Sequence, residues 1–171
     1  MGVRGRTALV ATTAVAALLW LVPSASAEHN LTQLTPGGDV ATMMSADGSH
    51  VAFSSNVRLV PSDTDGLYDI YDWQDNGTLQ QASVPEPGQT ATQQYRLQGT
   101  SSDGEHIIFD TTLDRLAPDD IDGGSDVYDR FARATTRLVS RGAVPSTAAF
   151  AATYEGMTPD GSRQFSARLS K

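Results

Sequence analysis

Two acidic segments carry the residues of this chain that could do chemistry. Each segment places three aspartates within seven residues, with a glycine directly after the second aspartate, and the two segments lie 57 positions apart. The six residues are Asp63, Asp65 and Asp69 in the first segment and Asp120, Asp122 and Asp126 in the second. Because calcium prefers carboxylate oxygens as ligands, this spacing predicts a candidate calcium site in each segment.

The same aspartates also fit a structural role. Neither segment completes an EF-hand loop, because the third oxygen position and the distal glutamate are absent. Asp and Gly build tight turns, and the side chains of Asp69 and Asp126 can hydrogen-bond to backbone groups. Calcium and turn formation are therefore alternatives. We expect turn formation, with no cofactor and no response to a chelator.

Aromatic residues beside the first acidic segment could recognise a partner. Tyr68, Tyr71 and Trp73 lie around one predicted strand, and Tyr128 and Phe131 occupy related places later in the chain. Exposed rings can stack on sugars or anchor a partner protein, whereas buried rings fill the space between neighbouring sheets. Alternation along a strand places Tyr71 and Trp73 on the same side. We favour packing over recognition.

The sequence contains no pattern typical of an enzyme. It has no Cys, which excludes thiol nucleophiles, disulfides and zinc fingers. His50 and His106 follow Asp-Gly pairs at positions typical of a strand start, and His29 lies near the terminus. The chain has no Gly-x-Ser-x-Gly elbow, His-Glu-x-x-His motif or Gly-rich phosphate loop. We predict that the protein is not an enzyme.

Residues 1–27 read as a secretory signal peptide. Arg4 and Arg6 form a positive start, an apolar stretch covers residues 8–22, and residues 25–27 form an Ala-Ser-Ala cleavage site. A membrane anchor is the alternative, but a span needs about 20 apolar residues. We therefore predict a secreted or periplasmic protein with no membrane attachment after cleavage.

The charge balance excludes one class of partner. The chain has 12 basic and 20 acidic side chains and a net charge of −8, which becomes −10 when the two arginines of the leader are removed. A nucleic-acid binder needs a basic surface that releases counterions. We therefore predict no nucleic-acid partner.

A repeated block organises the rest of the chain. Asp-Gly pairs begin at positions 47, 103 and 160, each in a Ser-x-Asp-Gly or Thr-Pro-Asp-Gly block that ends on a phenylalanine. These are Phe53, Phe109 and Phe165, and the third block is one residue shorter before its phenylalanine. The acidic segments recur in phase with the blocks, with a period of 56 to 57 residues. We predict equivalent buried positions for the three phenylalanines.

Each period reads as four antiparallel strands. Asp-Gly between two short alternating runs is typical of a β-hairpin, because both turn residues tolerate positive φ. In the first period the predicted strands are 43–46, 50–54, 69–74 and 78–84, and the same order recurs over 95–141. The sequence predicts an all-β fold, a partial β-propeller with two full blades of four antiparallel strands and part of a third. The predicted segments are 28–39, with an orphan outer strand at 31–35, and blades at about 40–84, 92–141 and 150–171.

The repeated block resembles the TolB-like, WD-repeat-like β-propeller repeats of secreted bacterial proteins. The resemblance lies in Ser-x-Asp-Gly, in Leu-Val-Pro-x-Asp or Leu-Ala-Pro-Asp-Asp, in Asp-Ile-Tyr or Asp-Val-Tyr, and in a closing Thr-x-x-x-x-Ser. It covers about residues 31–168. Such propellers serve as binding platforms, as periplasmic assembly factors and as companion domains of serine peptidases, so the resemblance implies the fold more than the function.

The resemblance leads to one expected function and two alternatives. We expect a secreted, non-catalytic binding module whose partner is a protein or a polysaccharide. The alternatives are the propeller of an enzyme whose catalytic domain lies elsewhere, and a truncated remnant without function. Closed propellers have about four to eight blades, so an arc of fewer blades has open strand edges. Such edges predict self-association or pairing with a partner.

Overall fold

A computed structural model describes residues 33–37, 39–85, 94–112, 116–141 and 151–169. The predicted signal peptide and residues 28–32 lie outside the described residues. All regular secondary structure in the described residues is β-strand, which confirms the predicted all-β class. None of the described segments forms a helix with the length and hydrophobicity that a bilayer crossing requires.

The described strands form three antiparallel sheets, each with its strands in chain order. The first sheet contains β1 (Asp39–Met44), β2 (His50–Ser55), β3 (Asp69–Gln74) and β4 (Leu79–Gln81). The second contains β5 (Arg96–Thr100), β6 (His106–Thr111), β7 (Asp126–Phe131) and β8 (Thr135–Leu138). The third contains β9 (Ala151–Met157) and β10 (Gln164–Leu169). The predicted four-stranded antiparallel sheets are therefore confirmed for the first two periods.

The strand bounds agree best with the prediction in the middle of a period. The third strand covers residues 69–74 as predicted, whereas the first ends at Met44 and the fourth is shorter than the predicted 78–84. Residues 33–35 of the predicted orphan strand are not in a strand, and residues 31 and 32 lie outside the described residues.

The Asp-Gly turns use their two residues differently from the prediction. Only the glycine adopts a positive φ, as at Gly48 with 75° and Gly104 with 73°. The aspartate caps the turn instead, since Asp47 Oδ1 accepts hydrogen bonds from the Ser49 N–H at 3.0 Å and the Ser45 hydroxyl at 2.7 Å. These bonds, with those from Ser49 as the largest cause, lower the pKa of Asp47 to about 2. The turn therefore combines a capping aspartate with a glycine in the left-handed region.

Side chains alternate between the two faces of each four-stranded sheet. On one face Phe53 lies opposite Tyr71, and Phe109 lies opposite Tyr128 in the same register. The two ring pairs are stacked, with centroids 5.6 Å and 6.1 Å apart. These four rings are almost completely buried, so each of the first two sheets has an aromatic core on this face.

The prediction of a third equivalent phenylalanine is wrong. Phe53 and Phe109 are 2% and 0% exposed, whereas Phe165 is 53% exposed. The third block has one residue fewer between its turn and its phenylalanine. Because side chains alternate along a strand, a shift by one residue moves the ring to the opposite face. Counted from the turn aspartate, Phe165 occupies the position of Ile108. Ile108 is buried because the third sheet packs against it through Ala152, whereas the described residues form no further sheet to cover Phe165.

Consecutive sheets meet through the same glycine-on-histidine junction. Gly104 lies against His50 of the preceding sheet, and Gly161 lies against His106 in the same way. A Cβ added to these glycines would lie 2.4 Å and 2.2 Å from a histidine carbon. Only glycine fits both the positive φ and this close approach. The glycine of each turn therefore also serves packing between sheets.

A backbone ladder joins the three Asp-Gly turns. The Ala46 N–H donates to the Ser102 carbonyl at 2.7 Å, and the Ser102 N–H donates to the Pro159 carbonyl at 2.6 Å. Each of these residues follows the Ser or Thr that opens its block, so the ladder advances by one period per step. Pro159 has no N–H, so the ladder cannot continue through this residue.

Candidate functional site

The structure brings the three carboxylates of each acidic segment together. In both clusters one carboxylate oxygen from each aspartate lies within 4.8 Å of the others, and five of the six side chains are buried. The clusters are Asp63, Asp65 and Asp69, and Asp120, Asp122 and Asp126. Such a set of oxygens could hold a hard divalent cation.

The hydrogen bonds of the first cluster hold the loop before β3 in place. Asp63 accepts the Asp65 N–H at 3.1 Å and the hydroxyl proton of Tyr71, which ties the loop before β3 to that strand. Asp65 Oδ1 accepts the Leu67 N–H at 2.7 Å. These bonds close the turn that the sequence predicts for Asp and Gly.

The third aspartate of each cluster receives the closing serine of its period. Asp69 Oδ1 accepts the Ser83 hydroxyl, whose oxygen accepts the Ile70 N–H at 3.0 Å. Asp126 and Ser140 form the same pair in the second sheet. The closing Ser therefore ties the chain just after the fourth strand to the third strand. The sequence predicts hydrogen bonds between these two aspartates and backbone groups, and the structure shows side-chain partners, Ser83 and Gln81 for Asp69 and Ser140 for Asp126.

Burial and like charge act together on Asp69. Desolvation is the largest cause, with Asp63 and Asp65 adding repulsion, and together they raise the pKa of Asp69 from 3.8 to about 6. The same surroundings raise the pKa of Tyr71, first through burial and then through its bond to Asp63. The cluster therefore holds its negative charge at an electrostatic cost near neutral pH.

We expect removal of divalent cations to leave the thermal stability of the protein unchanged. The carboxylates already accept hydrogen bonds from the turn and from buried hydroxyl groups, so no cation is needed to hold them together. Thermal unfolding with EDTA and with added calcium measures this. A lower melting temperature in EDTA, lost when Asp63→Asn is combined with Asp120→Asn, would contradict the structural role.

We expect Asp69→Asn to stabilise the protein at pH 7.5. The asparagine keeps an acceptor for the Ser83 hydroxyl but removes a charge that is buried beside two other carboxylates. The pKa of Asp69 is about 6 in the folded protein and lies above the ordinary value of 3.8. The protonated side chain therefore contributes fully to folding stability below about pH 4, and this contribution is lost as the pH rises through 6. The gain should be on the order of 1 to 3 kcal/mol at pH 7.5.

Urea unfolding of Asp69→Asn and the parent at pH 7.5 and at pH 4 provides the measurement. The gain should disappear at pH 4, where the parent aspartate is protonated. A variant that is less stable than the parent at pH 7.5, or equally affected at both pH values, would contradict this account.

The two described histidines lie at strand starts, as the sequence predicts. His50 Nδ1 lies 3.1 Å from Asp72 Oδ1, and His106 Nδ1 lies 2.8 Å from Asp129 Oδ2. Each ring is covered by the glycine of the following sheet and is only 9% exposed as a residue. These imidazoles therefore serve the junctions and are shielded from a substrate.

The structure separates the three aromatic residues considered for recognition. Tyr71 is fully buried in the first sheet, so it belongs to the packed core, the alternative that we favour over recognition. Trp73 is half-buried, whereas Tyr68, the residue before β3, lines a cleft. Tyr128 is also buried, and Phe131 packs beside His106 with ring centroids 4.7 Å apart.

The cleft at Tyr68 lies between the first and second sheets and has a volume of about 390 Å³. Its polar lining includes Gln94, Arg96 and Gln98, and the Tyr95 N–H joins the two sheets by donating to the Tyr68 carbonyl at 2.9 Å. The cleft floor includes apolar residues such as Ala41 and Leu97. This combination of an apolar floor and a few polar groups is typical of ligand pockets.

One buried carboxylate fixes two of the polar groups of the cleft. Asp110 accepts the Arg96 Nε–H through Oδ1 and the Gln98 amide through Oδ2, both at 2.7 Å. The Arg96 side chain is 67% exposed, so its remaining guanidinium donors face solvent. No motif marks these residues. Apolar and polar residues alternate over residues 95–98. This alternation is the sequence signal from which a shared face for Arg96 and Gln98 could be predicted.

No family model, curated protein or solved structure matches this chain. The resemblance to TolB-like repeats therefore rests on the motifs of the sequence alone. The geometry of the cleft and of the two acidic clusters is the remaining ground for a functional assignment.

Proposed function

We propose that the protein is a secreted, non-catalytic binding module with a propeller-like arrangement of blades, and that the Tyr68 cleft binds a polysaccharide. The repeated junctions support the blade arrangement, because each sheet packs on the next through the same glycine, histidine and backbone contacts. The observation that carries the binding role is the Arg96–Asp110–Gln98 network at the rim of a cleft between two such sheets.

A sugar suits the chemistry of this cleft. Planar guanidinium and carboxamide groups present donors and acceptors in fixed directions, as neighbouring sugar hydroxyls require. Asp110 balances the charge of Arg96, so the network favours a neutral ligand over a strongly charged one. The Tyr68 ring adds an apolar face against which a sugar ring can pack.

The buried histidines support a role without catalysis. A general base must reach the proton that it removes, within about 3 Å or through one water. His50 and His106 each face an aspartate on one side and a covering glycine on the other. Their imidazoles are therefore poorly placed to act on a ligand in the cleft.

Binding to soluble oligosaccharides tests the proposed function. We expect Tyr68→Ala and Gln98→Ala each to weaken oligosaccharide binding by about tenfold. Such a change in affinity corresponds to the loss of roughly one hydrogen bond or one ring contact with the ligand. Arg163→Gln is the matched control, because Arg163 is exposed in the turn between β9 and β10 and lies outside the cleft. Calorimetry with a panel of oligosaccharides and unstructured peptides provides the measurement. Binding of peptides alone, or equal binding by all variants, would contradict the assignment.

Self-association is a second part of the proposal. Phe165 is an exposed aromatic ring on a face that other sheets use for packing, and contact between copies would bury it. Pro159 prevents such a contact from copying the backbone ladder of the inner junctions. Sedimentation of the purified protein should show a species heavier than the monomer, and a monomer at all concentrations would contradict this part.

A further inference from the structure

The β7–β8 hairpin concentrates positive charge in an acidic protein. Residues 130–141 contain four arginines and no acidic residue. Three of these arginines have a partner: Arg133 pairs with Glu105 at 3.0 Å, Arg141 pairs with Asp119, and Arg137 lies over the Phe131 ring at 4.7 Å. The fourth, Arg130, forms no ion pair with any carboxylate of the described residues.

Arg130 is partly buried and is held by neutral groups alone. Its Nη1 donates to the Thr136 hydroxyl oxygen and its Nη2 donates to the Arg133 carbonyl, both at 2.9 Å. Its Nε is buried and has no hydrogen-bond partner. Burial is the cause that lowers the pKa of Arg130, although a guanidinium remains charged at any relevant pH. Among the described residues, the charge is therefore fixed in place with no carboxylate paired to it.

This guanidinium lines a cavity of about 490 Å³. The opposing walls are apolar and include Val84 and Pro85 after the first sheet, together with Leu116 and Pro118 before β7. Thr136 also lines the cavity and accepts its bond from Arg130, which leaves its hydroxyl proton free for donation to a ligand. The cavity shares no lining residue with the Tyr68 cleft.

We propose that the Arg130 cavity is a second binding site, and that it takes a carboxylate carried on a small apolar body. The carboxylate supplies the counter-charge that Arg130 lacks and accepts the Thr136 hydroxyl proton. The apolar body lies against Pro85, Leu116 and Pro118. Partly buried charges are normally paired, so a fixed cation that pairs with no carboxylate of the described residues favours an anionic ligand.

A single carboxylate fits better than a phosphate group. One guanidinium balances one negative charge, whereas a phosphate dianion needs a second positive charge, and Arg130 is the one charged side chain among the described residues that line the cavity. The volume leaves room for a ring or a branched side chain beside the carboxylate. The carboxylate can come from a free organic acid or from the end of a peptide, and the two sources share this chemistry.

Binding of benzoate to the purified protein tests the second site. We expect benzoate to bind at millimolar concentration or more tightly, and the uncharged benzamide and inorganic phosphate to bind at least tenfold more weakly. Arg130→Gln should weaken benzoate binding by about tenfold or more, as expected for the loss of one charge-assisted hydrogen bond. Arg130→Lys should retain part of it. Ligand-observed NMR titration measures these affinities.

Matched variants show whether benzoate binds at Arg130 or elsewhere on the protein. Arg137→Gln removes a neighbouring arginine of the same hairpin and should leave benzoate binding unchanged, as should Tyr68→Ala in the cleft. Thr136→Val keeps the positive charge of Arg130 and should weaken benzoate binding several-fold. This second variant tests the site even if Arg130→Gln does not fold. The dipeptide Gly-Phe and its amide then distinguish a peptide carboxylate from a free acid as the preferred source. Equal binding of benzoate and benzamide, or no loss in Arg130→Gln and Thr136→Val, would overturn the proposal.

Discussion

Replacing Gly104 by alanine should destabilise the protein by roughly 2 to 5 kcal/mol, because the change combines backbone strain with a clash. The glycine has a φ of 73°, and an added Cβ would lie 2.4 Å from both Cβ and Cγ of His50. These atoms are close to the main chain of His50, so a rotation of the imidazole does not relieve the clash. The first and second sheets must separate to accommodate the methyl group.

Gly48→Ala is the matched control for this prediction. Gly48 has nearly the same φ, 75°, but the nearest atom to an added Cβ is the Met44 sulfur at 3.8 Å. Its cost should be about 1 to 2 kcal/mol, from backbone strain alone. Urea unfolding of both variants provides the comparison. Equal losses at the two positions would show that Gly104 does not pack against the preceding sheet.

Phe109→Ala should cost about 3 to 5 kcal/mol, the usual range for truncation of a buried aromatic side chain. Phe109 has no exposed surface and contacts both Tyr95 and Tyr128, with ring centroids 6.0 Å and 6.1 Å away. Phe165→Ala should change the stability of the monomer by less than about 0.5 kcal/mol, because an exposed side chain loses little on truncation.

The pair of phenylalanine variants tests the face assignment directly. Both residues end the same repeated block, so a sequence-based expectation gives them equal roles. Thermal and urea unfolding at low protein concentration measure the two losses without a contribution from self-association. A large loss for Phe165→Ala under these conditions would show that its ring is buried against another part of the chain.

The Asp-Gly blocks made most of the fold predictable. Asp47 and Gly48 mark a turn with a clear physical cause, and the same pair recurs once per period, so strand order followed from the sequence. Phe165 shows the limit of this reasoning. A deletion of one residue moves the side chain to the opposite face of the sheet because strands alternate, and the described residues form no further sheet that covers this face.

The candidate sites were less predictable than the strands. The acidic clusters were visible because three aspartates lie close in sequence, and the structure brings their oxygens together. The Tyr68 cleft and the Arg130 cavity combine residues from two sheets, so no local motif announces them. Arg130 was identified because it pairs with no carboxylate of the described residues, and such pairing depends on the folded structure.

The most direct measurement of the blade arrangement is disulfide trapping along the turn ladder. The chain has no Cys, and Ala46, Ser102 and Pro159 are exposed, so engineered cysteines at these positions report only on one another. Adjacent members of the ladder are joined by backbone hydrogen bonds of 2.7 Å and 2.6 Å, which bring their side chains near the separation that a disulfide requires.

We predict that the pair Ala46→Cys with Ser102→Cys, and the pair Ser102→Cys with Pro159→Cys, close intramolecular disulfides under mild oxidation. The pair Ala46→Cys with Pro159→Cys should remain reduced, because these residues are two ladder steps apart. Mass spectrometry detects each disulfide as the loss of two hydrogens, and a non-reducing gel separates monomers from dimers. Reduced thiols in the adjacent pairs, or disulfides formed only between copies, would contradict the stacked sheets on which the proposed sites depend.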